Sequence, residues 1–164
     1  MKSYIFCKLA AGAVLSLMAS VPASAQSIKD QLVGAWSLVS NVEEYADGKT
    51  VSWDQGAKGR LDLDAKGRFM LMINQVAPRK KVEGNPADLP VGKMVSYYGT
   101  YTVNEDTKTL TYKIDSASFP AWDGAEQSRL ISTINGSDLV HKSMTPIPSA
   151  QGPFVAVVSW KKMP

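Results

Sequence analysis

The chain has 164 residues, a formal net charge of +3, one histidine and one cysteine. Its length is that of one domain with a short extension, and its 45% hydrophobic content suffices for a buried core. A single His and a single Cys argue against a disulfide framework and against a His- or Cys-rich metal centre, and the near-balanced charge provides no broad basic face for nucleic acid.

The N-terminal segment has the three zones of a secretory signal peptide. Lys2 and Lys8 form a positive start, Leu9 to Val21 is an apolar run, and Ala23-Ser24-Ala25 follows Pro22 as a small-residue cleavage site. The run is shorter than the roughly 20 residues that span a bilayer, so no stable membrane insertion is expected. Cys7 precedes the apolar run and is not placed for lipidation. Cleavage after Ala25 would remove it, together with two of the three net positive charges. The expected product is a periplasmic or secreted, cysteine-free domain over residues 26–164, without disulfides, thiol catalysis or thiolate metal sites.

Ser27 to Val33 reads as one short helix, with Ser27 as N-cap, Asp30 in its first turn and Gly34 as its stop. Period-two hydrophobicity then takes over. Trp36, Leu38 and Val42 alternate with polar residues, and Asp47-Gly48 marks a turn. Leu61 and Leu63 alternate on the next strand, Ala65-Lys66-Gly67 turns it, and Arg68 to Gln75 returns. Residues 76–94 form a long loop with three prolines and the basic triplet Arg79-Lys80-Lys81, read as solvated. Val95 to Val103 is a strand rich in Tyr and Thr, followed by one carrying Leu110, Tyr112 and Ile114. Phe119 to Gly124 forms a loop. Glu126 to Met144 is a hairpin about Asn135-Gly136, and Phe154 to Lys161 is the last strand. Eight or nine antiparallel strands in sequential order, joined mainly by short turns, predict an all-β, up-and-down barrel rather than a sandwich.

Gly34-Ala35-Trp36, just after the helix, resembles the G-x-W signature of lipocalins. In that setting the Trp ring closes one barrel end. Further matching stretches are GAWSLVS (34–40), GRLDLDAKGRFML (59–71), YYGTYTV (97–103), FPAWDGAEQSRL (119–130) and INGSDLV (134–140), with Trp160-Lys161 at the end. Over these stretches the chain resembles the bacterial and fungal lipocalin-like domain family of the calycins. The resemblance implies an up-and-down barrel with an internal cavity, closed by Gly34 and Trp36. It implies no particular ligand or reaction. At His141 the chain departs from the family pattern, which carries Leu there.

His141 is the one histidine available for chemistry. It has no second His for zinc, and nothing else points to haem, so no metal or cofactor is expected. No G-x-S-x-G elbow accompanies it. On its strand Leu139, His141 and Ser143 share one face. If Asn135-Gly136 is a two-residue turn, Leu130 faces His141, and Leu130, Ser132 and His141 point inward. Arg129 then points outward, as an outer-face or barrel-end residue held by a carboxylate or stacked on an aromatic; the alternative is that it anchors a ligand. A slip of one residue would exchange the faces. Tyr97, Tyr101 and Tyr112 are candidate pocket lining, with Gly99 leaving either a gap or a coiled strand. Met70 and Met72 share a face that would suit an adaptable apolar wall. Trp53 and Trp122 lie at a barrel end.

These residues lead to an exported binder of a small apolar or amphipathic molecule, with Met70, Met72, Tyr97, Tyr101, Tyr112 and His141 as ligand contacts. Two alternatives stand beside it. One is a calycin-type isomerase, cyclase or hydrolase using His141 as acid or base. The other is an interaction module whose barrel is filled. Nothing in the sequence fixes the oligomeric state.

Overall fold

The computed structural model describes residues 26–53, 56–74 and 94–164. The leader and the triplet at 79–81 lie outside the described residues. The strands are β1 (Gly34–Tyr45), β2 (Thr50–Ser52), β3 (Lys58–Leu63), β4 (Arg68–Asn74), β5 (Met94–Asn104), β6 (Thr109–Ala117), β7 (Glu126–Ile134), β8 (Asp138–Ser143) and β9 (Phe154–Lys162). From β3 to β9 each strand pairs antiparallel with the next, and β9 returns to pair along β1. Eight strands thus close a barrel, and β2 is the extra one. It occupies the same edge of β1 as β3 does, but opposite Val42–Glu44 where β3 faces Gly34–Ser37. Closure removes the open edges that such strands would otherwise expose.

The closed end follows from the first residues of the domain. Helix α1 (Ile28–Leu32) starts at Ser27, whose hydroxyl accepts from the Asp30 amide at 3.0 Å. The Glu105 carboxylate, from the β5–β6 turn, accepts from the amides of Ile28 and Lys29 at 2.8 and 3.0 Å. Five helical residues are too few to persist alone, so these ties and the burial of Leu32 hold the helix across the barrel end. Trp36 is fully buried beneath it, and its indole N–H donates to the Leu32 carbonyl at 2.8 Å. Lys162 lies 5.0 Å from the Trp36 ring and donates to Gln31 O at 2.9 Å. The G-x-W stretch thus lies at this barrel end, with the Trp36 ring packed beneath α1.

Three strand irregularities decide which side chains point inward. Between Leu38 and Ser40 the β1–β9 register shifts, and Val39 is thrown outward. Beyond the shift Asn41 faces inward where simple alternation placed Val42. In β5 the register shifts at Gly99, where the strand presses against β6. A Cβ at Gly99 would lie 2.1 Å from the Lys113 carbonyl oxygen. Of the two readings of Gly99, the structure thus gives the coiled strand and not the ligand gap. Phe69, the register partner of Gly99, packs 4.4 Å from Tyr112 and 5.7 Å from Tyr97.

The third shift corrects the β7–β8 hairpin. The pairs are Ile134 with Leu139, Ile131 with His141 and Arg129 with Ser143. The turn is wider than two residues because the Asn135 side-chain oxygen takes the amides of Ser137 and Asp138 at 3.2 and 2.8 Å. Together with the irregularity at Ser132, this brings Ile131 and not Leu130 opposite His141. Arg129 and Ile131 are buried, whereas Leu130 is on the outside. The expectation of an inward Leu130 and an outward Arg129 is overturned.

Candidate functional site

Between the closed end and the opposite loops lies a cavity of about 790 Å³. Leu71, Ile73, Val95, Ala156 and Val158 supply its aliphatic walls. Each comes from the inward set of its strand, so the cavity is a direct product of period-two alternation. Trp53, Phe119, Trp122, Ile147 and Pro148 line it from the loops at the open end. Trp122 stands on a short 3₁₀ turn (Pro120–Trp122), edge-on to Tyr97 at 5.7 Å. Trp53 is held by its indole N–H, which donates to Glu43 Oε1 at 2.7 Å, while the Tyr45 hydroxyl donates to Glu43 Oε2 at 2.6 Å.

Four polar side chains interrupt the apolar wall: Asn41, Glu43, Arg129 and His141. His141 is 1% exposed, and its Nε2 accepts the Trp160 indole N–H at 3.0 Å. Indole only donates, so this bond places the ring proton on Nδ1. Nδ1 is buried and has no hydrogen-bond partner. Burial first, and then the nearby Arg129 cation, push the His141 pKa down to about 3. The ring is therefore neutral at any ordinary pH and presents an N–H donor.

Arg129 is 7% exposed and reaches Gln127 Oε1 at 2.5 Å and the Ser128 carbonyl at 3.3 Å. Both partners are neutral. The ion pairs among the described residues join Arg60 to Asp62, Arg68 to Asp64, Lys142 to Glu44 and Lys161 to Asp138, and none includes Arg129. Asn41 adds a buried amide oxygen without a partner.

Of the six ligand contacts expected from sequence, Tyr97 and His141 line the cavity. Met70 and Met72 do not. They are 56% and 44% exposed on the outer face, because Phe69, Leu71 and Ile73 take the inward positions of β4. Tyr101 and Tyr112 belong to the packed core. The Tyr101 hydroxyl donates to the Asp64 carbonyl at 2.7 Å, tying β5 to the β3–β4 turn. Tyr112 is fully buried against Phe69, and its hydroxyl has no partner, so burial drives its pKa well up. Sequence reasoning missed Asn41 and Glu43 as lining and held Arg129 as a ligand anchor only in its alternative reading, since the shifts in β1 and β7 invert their expected faces. Among the described residues no cluster of His, Cys, Asp or Glu can hold a metal ion.

Residues 33–163 match the family model of a lipocalin-like domain. A comparison with curated proteins returns no match. Among solved structures, a redesigned β-barrel is similar at a TM-score of 0.44 and 11% identity, covering 85% of this chain and 100% of that one.

Proposed function

Because this chain belongs to the lipocalin-like domain family, we propose that its barrel is a container for a small apolar or amphipathic molecule. The observation that carries this reading is the cavity of about 790 Å³, walled by aliphatic and aromatic side chains with a few placed polar groups. That volume and lining are those of small-molecule pockets. A filled barrel would have no such space, so the reading of a solid interaction module loses its support. The acid–base alternative is also weakened. His141 holds its proton on Nδ1, and with a pKa of about 3 it is a poor base at neutral pH.

The leader pattern Lys2 to Ala25 supports an exported protein, acting in the periplasm or outside the cell. The test is to purify the protein from its native compartment under non-denaturing conditions, extract it with organic solvent and identify small molecules by mass spectrometry. A stoichiometric apolar compound is the expected result. An empty protein that also takes up no added apolar compound would overturn the reading.

A further inference from the structure

We propose that the cavity takes a monoanionic amphiphile, with its carboxylate on Arg129 and His141 and its apolar body directed toward the open end. This deepens the container reading above and rests on it. Arg129 is a buried cation with only neutral partners among the described residues. Burying an uncompensated charge is costly, and proteins ordinarily supply a counter-charge. Glu43 shares the cavity but is not within ion-pair distance, and its two oxygens are engaged by Tyr45 and Trp53. The missing negative charge is thus one a ligand can bring.

The neighbouring groups fit the same chemistry. Arg129 and Ile131 are adjacent inward positions of β7, and Ile131 pairs with His141 on β8. The Nδ1–H of His141 is a buried donor without an acceptor. A guanidinium fork beside an N–H donor calls for an oxygen anion, and a carboxylate offers two oxygens. At Arg129 one cation balances one negative charge, so a phosphate monoester is less suited there and an ammonium head is repelled from it, while the Glu43 oxygens are held by Tyr45 and Trp53. Toward the closed end the next inward residues are Leu139 and its register partner Trp160, both buried. The apolar body therefore has its room on the other side, among Phe119, Trp122 and Ile147.

The experiment is a titration of the purified protein with decanoic acid, decanol and decylamine at neutral pH, read by tryptophan fluorescence and calorimetry. Decanoic acid is expected to bind at least about tenfold more tightly than decanol, and decylamine more weakly than either. In Arg129→Gln the preference for the acid should vanish, the affinity for decanoic acid falling to that which the same variant shows for decanol. If Arg129→Gln does not fold, Arg129→Lys keeps the charge without the fork and should retain only part of the preference. Equal binding of acid and alcohol by the wild type, or a full preference surviving in a folded Arg129 variant, would overturn the inference and leave the container reading intact. Binding of none of the three would overturn both.

Discussion

The indole N–H of Trp160 donates to Nε2 of His141 at 3.0 Å, and this bond sets the chemical character of the cavity's polar side. It fixes a neutral imidazole with its proton on Nδ1. The folded-state pKa of about 3 lies below the ordinary 6.5. Between these values the unfolded chain binds a proton that the folded chain does not. Stability should therefore be fully present above about pH 6.5 and fall as the pH drops toward 3, with a slope of up to about 1.4 kcal/mol per pH unit from this group. Denaturant unfolding at a series of pH values measures it. His141→Gln should flatten that part of the profile. An unchanged slope in the variant would assign the acid sensitivity to other groups.

Trp36 joins the helix to the barrel. Its ring is fully buried, its N–H caps the Leu32 carbonyl, and Lys162 stacks above it. Trp36→Ala should cost about 3–5 kcal/mol through the cavity it leaves. Trp36→Phe should cost less, retaining most of the apolar contact but losing the hydrogen bond. Equilibrium unfolding in urea ranks the two. A Trp36→Ala protein with near-normal stability would mean that the ring is not the closing element.

Gly99 offers a sharper test of the barrel's shape, because its backbone is crowded by β6. A methyl group there would meet the Lys113 carbonyl and the Asp115 amide at distances real atoms do not adopt. Gly99→Ala should force β5 and β6 apart and cost about 2–3 kcal/mol. The nearby Gly124, around which a Cβ would meet open space, supplies the contrast, though its φ of 75° adds some backbone strain. The Gly99 variant should be the less stable of the two in thermal unfolding.

Much of this architecture is legible in the sequence, and the reason is physical. The alternation of Leu61 and Leu63, or of Leu110, Tyr112 and Ile114, states both the strand and its buried face, and the observed burial follows it. Ser27 and Gly34 bracket the helix as their chemistry requires. The site was less legible because it depends on parity. Each register shift inverts the faces beyond it, and nothing in LVS (38–40) or QSRLIST (127–133) announces one. Arg129 moved from surface to cavity on this account alone. Met70 and Met72 were misassigned for a different reason: β4 is apolar on both faces, so its pattern does not say which set is inside. His141 on the face of Leu139, a titratable side chain in an inward row, was a signal in the sequence pointing to a polar group in the cavity.

Ala156 allows the container to be tested without replacing any of its polar groups. It lines the cavity from β9, opposite Glu43 in the β1 register, and its amide is already bonded to Ser143 Oγ at 3.0 Å. Ala156→Phe would project a ring into existing space, so the usual overpacking cost should be small and the midpoint of thermal unfolding should stay level or rise. The same ring occupies volume that an apolar ligand needs. Decanol affinity should therefore fall by about tenfold or more. A variant that folds normally and binds decanol as tightly as the wild type would place the ligand elsewhere, on the outer face around Met70, Met72 and Tyr98, where large apolar side chains are exposed. Loss of binding with retained stability would place it inside the barrel.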